Sequence, residues 1–338
     1  MDGHAAMSRP PELARARGTG DPVLSVSAHE PGPSGTVASP VRRTPTPWRG
    51  LLRRWSWLPV LAVGALLYEL VLQAVRDTGN PLYVPTLILL GAAVVPVAFV
   101  GFIAGRRLEV GVSAWLVTLT ALLGGVVGVL VAGSLEFQVA RGTGSVPLFA
   151  VGLIEEMAKL LVPAVVLLLF RRNRHPADGL VLGVACGAGF AVLETMGYAL
   201  VALVASGGNL AVVNGLLLDR GLLSPAAHMA WTGLTAAALW RTATDRRHLR
   251  AVARFVTVYL LVSALHAAWD SSASSWTHAG LAVVSLGLLM WTTLRLVPPH
   301  RRWPVQWGAG RPTGQPMSAA PPLAGARSGW RPAPTPQQ

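Results

Sequence analysis

Long apolar stretches alternate with short basic stretches along the middle of this sequence. Most of the apolar stretches are near the roughly 20 residues that a helix needs to cross a bilayer. They cover residues 57–75, 83–104, 112–133, 148–170, 179–205, 224–241, 252–270 and 277–297. Because lipid offers no partners to backbone N–H and C=O groups, long spans of this kind must be helical. The pattern predicts an all-α, polytopic membrane bundle of about eight transmembrane helices.

The arginines between these stretches fall mainly on one side of the predicted membrane. That side receives Arg42, Arg43, Arg49, Arg53, Arg54, Arg106, Arg107, Arg171, Arg172, Arg174, Arg241, Arg246, Arg247, Arg250, Arg254, Arg295, Arg301 and Arg302. The other side receives only Arg76, Arg141 and Arg220. Cytoplasmic loops carry the excess of basic residues in membrane proteins. We therefore expect both termini in the cytoplasm and the protein in the cell membrane.

The two ends of the chain differ in composition from the middle. Residues 1–47 and 299–338 are rich in Pro, Gly, Ser and Thr and have no apolar period, which predicts disordered cytoplasmic tails. Residues 48–298 then form one transmembrane domain. The apolar segment 210–218 is too short to cross a bilayer, so it either lies in the outer interface or folds back into the bundle.

Overall composition agrees with a lipid bilayer as the protein's environment. The chain of 338 residues is 52% hydrophobic and 13% charged, whereas soluble domains carry about 25% charged residues. The net charge of +13 sits in short clusters between spans, which argues against a nucleic-acid partner. The single cysteine, Cys186, excludes an intrachain disulfide.

Ionisable side chains inside predicted spans indicate function, since each costs at least about 2.5–3.5 kcal/mol to insert. The chain places Glu69, Glu155, Glu156, Lys159, Glu194, His228, His266 and Asp270 in such spans. All of them except Glu69 fall in the outer half of the membrane, on four helices of alternating direction. Agreement in depth across four helices predicts one shared polar site. Glu69 has no supporting neighbour and is expected to be structural or interfacial.

Span four carries two adjacent acids and the only lysine of the chain. Glu155 and Lys159 are one helical turn apart, with the acid first, which is the better order for an ion pair. One lysine needs only one such partner, so an ion pair does not explain why a second acid, Glu156, lies inside the membrane. This favours a functional role for the group over a neutral structural pair.

The other polar residues of the set come from three further spans. Gly183, Gly187 and Glu194 share one face of span five, so we expect Glu194 to point into the bundle where helices pack closely. Ser224 and Pro225 form a good helix start, which would place His228 in a first turn that favours a neutral imidazole. Asp270 lies one turn after His266 and either supports that histidine or is an interfacial acid.

The ordered set of motifs resembles the PrsW family of intramembrane proteases. The motifs are Glu155-Glu156-Met-Ala-Lys159, Phe190-Ala-Val-Leu-Glu194, His228 and His266-Ala-Ala-Trp-Asp270, on successive spans within residues 148–270. The resemblance implies that the protein cleaves a membrane-anchored protein, such as an anti-sigma factor, near the outer side of the membrane.

Two chemical readings of the site follow. In the first, Glu155 or Glu156 takes a proton from water, Lys159 holds the pair, and His228, His266 and Glu194 bind Zn²⁺. In a metal-free version, the histidines polarise the scissile carbonyl instead. The alternative function is a proton- or ion-coupled transporter, which also needs buried acids and histidines. No repeated halves are visible in the sequence, and this disfavours the transporter.

Overall fold

A computed structural model describes residues 54–170 and 174–298 of the chain. These residues form helices and no strand, which confirms the predicted all-α class. The helices are α1 (Trp57–Thr78), α2 (Val84–Ala104), α3 (Ala114–Thr143), α4 (Leu148–Leu169), α5 (Pro176–Ala205), α6 (Leu210–Leu223), α7 (His228–Thr244), α8 (His248–Asp270) and α9 (Ser275–Leu296). The predicted tails, 1–47 and 299–338, lie outside the described residues, as do Arg171 and Arg172.

Seven helical segments of the described chain are long and apolar enough to cross a membrane. Six of them are α1, α2 with the short turn before it, α3, α5, α8 and α9, and the seventh joins α6 and α7 into Leu210–Thr244. Helix α4 has 22 residues and is also largely apolar, but it carries Glu155, Glu156 and Lys159 in its middle. The seven segments agree with a multi-pass bundle. The predicted count of eight, which needs α4 as a further span, stays a prediction.

Helix α5 is the centre of the bundle and packs most extensively against α7 and α3. Glycines make this close approach possible. A Cβ atom added at Gly183 or Gly187 would collide with the backbone carbonyl of Thr232 or His228 on α7. On the opposite side, a Cβ at Gly125 of α3 would lie 2.6 Å from the backbone of Gly189. The predicted glycine face of α5 is therefore a packing face, and it brings the backbone of His228 directly onto α5.

The segment after α5 folds back into the bundle rather than lying apart from it. Helix α6 spans Leu210–Leu223 and buries Val213, Leu217 and Gly221. Val213 and Leu217 pack with residues of α1 and α2, among them Tyr68 and Leu87. The stretch predicted as 210–218 is thus longer than expected, and it runs as the first part of a broken helix that α7 continues.

The break between α6 and α7 corrects the predicted helix start at Ser224. Residues Ser224–Ala226 form a 3₁₀ turn, and α7 begins at His228. The Ser224 hydroxyl donates to the Gly221 carbonyl of α6 at 2.9 Å and does not cap the start of α7. Pro225 has no N–H and cannot continue the α6 ladder, which explains the interruption at this point. The break leaves His228 as the first residue of a new helix inside the bundle.

Candidate active site

Four helices bring the sequence-predicted residues into one buried cluster. Helix α4 contributes the adjacent acids Glu155 and Glu156 and, one turn later, Lys159, and all three are buried. Helices α5, α7 and α8 contribute Glu194, His228 and His266, each within hydrogen-bond or ion-pair distance of another member. Glu69, in contrast, is exposed on α1 and lines a separate cavity with Arg76 and Asn214.

The ammonium group of Lys159 lies at the centre of the cluster. Its Nζ atom donates to Glu156 Oε1 at 2.8 Å, to Glu155 Oε2 at 3.0 Å and to His228 Nδ1 at 2.9 Å. The lysine side chain is fully buried. Three acceptors match the three N–H donors of an ammonium. Both acids therefore have the same partner. Glu156, for which the sequence offered no separate cation, is bonded to Lys159 together with Glu155.

His228 lies between Lys159 and Glu194. Because an ammonium can only donate, Nδ1 of His228 must accept, and the ring proton of the neutral imidazole then resides on Nε2. That Nε2 atom lies 2.9 Å from Glu194 Oε2. A histidine held through one nitrogen by a carboxylate has a fixed tautomer and ring orientation. Glu194 thus orients His228.

His266 is held in a similar way by Glu156. Its Nδ1 atom lies 3.0 Å from Glu156 Oε1, and since a carboxylate only accepts, Nδ1 carries the proton. The other nitrogen, Nε2, faces Asp270 Oδ2 at 3.4 Å and Glu155 Oε2 at 3.5 Å. The neutral ring therefore presents its lone pair toward the space between Glu155 and Asp270.

Ligand atoms of Glu155, His228 and His266 all lie within 4.8 Å of one another. Two imidazoles and one carboxylate are a donor set that zinc accepts, and each histidine is backed by its own carboxylate, as metal-ligating histidines usually are. The residues present therefore fit a metal ion.

The group within 4.8 Å contains Glu155 and not Glu194, the carboxylate that the sequence had suggested as a ligand, and the choice between the two stays a prediction. Oxygen Oε2 of Glu194 accepts from Arg220 Nη2 at 2.6 Å and also lies 2.9 Å from His228 Nε2. This oxygen is already engaged by two donors, so Glu194 is better suited to holding His228 than to binding a metal.

Two supporting residues take different positions. The ring of Phe190 is buried below the cluster, with Lys159 Nζ 4.2 Å from its centroid and the His228 ring 5.4 Å away. A cation over an aromatic face is stabilised by the ring quadrupole. The Asp270 side chain is 32% exposed and lies at the edge of the site. Phe190 thus packs against the buried side of the cluster, and Asp270 lies at its solvent-accessible edge.

Two residues near the cluster were not singled out from the sequence. Arg220 had been counted as a loop arginine, but it lies in the last turn of α6 and pairs with Glu194. Glu136 had been left outside span three because the apolar stretch ends at 133, although α3 continues to Thr143. Its Oε1 atom is buried and has no hydrogen-bond partner among the described residues. Both lie on helices that continue beyond the apolar stretches seen in the sequence. A sequence analysis that extended these helices past the apolar residues would have found them.

A cavity of about 340 Å³ borders this cluster at His228. The side chains of His228, Arg220 and Asp219 form part of its wall, together with Trp269 and His278 at the junction of α8 and α9. The cavity is lined by both polar and apolar side chains.

A family model described as PrsW family intramembrane metalloprotease matches residues 112–297, more than half of the chain. No curated protein and no solved structure matches the sequence. The matched range includes all the helices from α4 to α8, on which every residue of the cluster lies. The match confirms the resemblance that the four motifs had indicated and disfavours the transporter alternative. The chain is a multi-pass membrane peptidase and belongs to the PrsW family of intramembrane metalloproteases.

Proposed function

We propose that this protein hydrolyses a peptide bond of a membrane-anchored protein near the outer side of the cell membrane. The observation that carries the proposal is the convergence of Glu155, His228 and His266 within 4.8 Å in a buried cluster. The two histidines are each held by a further acid, so that one nitrogen of each is directed inward. A carboxylate beside two oriented imidazoles is what the activation of water for peptide hydrolysis requires.

Glu155 is the acid that takes a proton from the attacking water. Its side chain is 10% exposed, whereas that of Glu156 is fully buried. Glu155 Oε2 faces Lys159 and His266, where a metal ion would also bind, and the second oxygen, Oε1, remains for the water. A well-placed carboxylate base contributes about 10²–10⁴-fold to such a reaction. The proton then passes to the amine that leaves when the C–N bond breaks.

Glu156 and Lys159 keep this arrangement in place. Oxygen Oε1 of Glu156 accepts from both Lys159, on the same helix, and His266, so this one atom joins α4 to α8. The Lys159 ammonium offsets the charge of the adjacent acids, which would otherwise repel each other without water to screen them. These two residues are therefore positioning residues.

The family description implies a metal ion, and Glu155, His228 and His266 would hold it; we propose Zn²⁺ as this ion. Bound there, the ion would act as a Lewis acid toward the scissile carbonyl and the attacking water. Glu194 and Glu156 would orient the two imidazoles from behind. Zinc is preferred over harder cations because two of the three ligands are imidazoles.

The substrate is a single membrane-anchored protein segment, of the kind found in anti-sigma factors, and it enters from the outer side. The cavity of about 340 Å³ beside His228 accommodates the part of the segment next to the scissile bond. In this topology α4 is an eighth span, and both termini are cytoplasmic.

The experiment compares membranes from cells that produce the wild-type protein or Glu155→Gln. New N-termini near the outer end of a membrane span should appear with the wild type and be absent with the variant. The protein identified in this way is then cleaved by the purified enzyme in proteoliposomes. Identical N-termini in both membranes, with ion flux across wild-type proteoliposomes, would favour the transporter instead.

A further inference from the structure

Arg220 makes the shortest charged contact in the described part of the site. Its Nη2 atom donates to Glu194 Oε2 at 2.6 Å, and its guanidinium lies over the ring of Tyr198 with 4.1 Å to the centroid. The Arg220 side chain is 30% exposed, and that of Glu194 is 17% exposed. The oxygen that accepts from Arg220 is the same oxygen that contacts His228 Nε2.

We propose that Arg220 is a positioning residue of the active site, which holds the Glu194 carboxylate so that it fixes the orientation and tautomer of His228. The proposal rests on the hydrolytic role proposed for His228. A carboxylate with little access to water needs a partner of opposite charge. Without Arg220, the Glu194 carboxylate would rotate toward Lys159 or toward water. The Nε2–H of His228 would then lose its fixed acceptor.

The position of Arg220 is fixed by the packing of α6 on the first two helices. A Cβ atom added at Gly221 would lie 2.6 Å from the Gly91 carbonyl of α2, so α6 approaches this helix closely. Asn214, less than two turns before Arg220, accepts a hydrogen bond from Tyr68 of α1 at 2.7 Å. Groups that position catalytic residues act best from rigid, well-packed elements. Helices α1 and α2, which lie outside the region matched by the family model, thereby contribute to the geometry of the site.

A purely structural ion pair would behave differently. Exposed ion pairs contribute little to stability, and losing one changes nothing at a distant imidazole. A residue that supports a histidine through its carboxylate affects that histidine, and losing such a partner typically costs about 10–100-fold in activity or metal affinity. The state of His228 therefore distinguishes the two roles.

The test uses the full-length protein with ¹⁵N-labelled histidine in lipid nanodiscs, and compares the wild type with Arg220→Gln and Arg220→Lys. His228→Gln identifies the His228 signals. The wild type should show one tautomer, protonated at Nε2, and Arg220→Gln should show averaged shifts for both nitrogens. Arg220→Lys, which keeps the charge, should restore most of the wild-type pattern.

Arg141→Gln is the matched control, because Arg141 also lies over an aromatic ring, that of Phe137 at 5.6 Å, but pairs with no carboxylate in the described chain. It should leave the His228 spectrum unchanged. In peptide cleavage, Arg220→Gln should lower kcat by about 10–100-fold with a small change in KM.

An unchanged His228 spectrum in Arg220→Gln would overturn the proposal, as would equal effects of Arg220→Gln and Arg141→Gln. The spectra need no substrate. If they change as expected while the wild type cleaves no peptide, the proposed proteolysis fails and the positioning role stands.

Discussion

Nζ of Lys159 lies 2.9 Å from Nδ1 of His228, the nitrogen that faces the interior of the cluster. The same ammonium is 3.0 Å from Glu155 Oε2. Lys159 thus donates to two of the three residues that would hold a metal. Because His228 Nδ1 has a single lone pair, it cannot accept from the ammonium and bind a metal ion at once, so the lysine and the metal compete for His228.

This competition makes a prediction for Lys159→Met. Removal of the ammonium frees two acceptors and leaves two adjacent carboxylates without a cation, which raises their attraction for Zn²⁺. We expect Zn²⁺ to bind Lys159→Met more tightly than the wild type, by about tenfold or more, equivalent to about 1.4 kcal/mol. Competition with a fluorescent zinc chelator measures this. Weaker binding than in the wild type would show that Lys159 supports the metal site rather than competing with it.

The two adjacent acids of α4 should respond differently to amide substitution. Glu155→Gln removes the proton acceptor and should lower kcat by about 10²–10⁴-fold. Glu156→Gln keeps an oxygen for the His266 N–H but weakens the bond to Lys159, so its loss should be smaller. Rates on a substrate in proteoliposomes measure both. Glu69→Gln is the control, because Glu69 is exposed on α1. Equal rates for Glu155→Gln and the wild type would exclude Glu155 as the base.

The glycine face of α5 allows a packing prediction with a control on the same helix. A Cβ at Gly187 would collide with the carbonyl of His228, whereas Gly197 has nothing within 4 Å. Gly187→Ala should destabilise the fold by about 1–3 kcal/mol through overpacking and should also lower activity, because His228 moves. Gly197→Ala should be neutral or slightly stabilising. Thermal unfolding in detergent compares the two variants, and equal stability would contradict the helix contact.

The predicted topology can be tested by cysteine labelling from each side of the membrane. Arg141→Cys should react with an impermeant reagent from outside, and Arg246→Cys only after the membrane is opened. Cys186 can stay in place because it is fully buried and donates to the Lys159 carbonyl at 3.0 Å. If Arg246→Cys reacts from outside, the orientation of α7 and α8 is reversed.

Much of this architecture was predictable because membrane spans have strong sequence signals. Apolar length and arginine distribution indicated the helices, and the cost of buried charge indicated Glu155, Glu156, Lys159, His228 and His266 as members of one site. The glycine spacing of α5 also predicted its packing face, since a missing Cβ has a direct steric consequence.

The parts that could not be predicted depend on side-chain distances or on helices that continue past their apolar runs. Periodicity could not decide whether Glu155 or Glu194 completes the group with the histidines, because both lie at similar depth. Arg220 was counted by its charge alone, and its pairing depends on α6 folding back against α1 and α2. Glu136 lies just after the predicted apolar stretch ends at 133, although α3 continues to Thr143.

The central claim is that Glu155, His228 and His266 form one hydrolytic site that holds a metal. The most direct measurement is the metal content per chain and the rate of peptide cleavage, determined together on purified wild type, His228→Ala and His266→Ala. The account predicts about one zinc per wild-type chain, as expected for a catalytic zinc site, and a joint loss of metal and activity in both variants. Full cleavage by the wild-type protein after exhaustive chelation would contradict it.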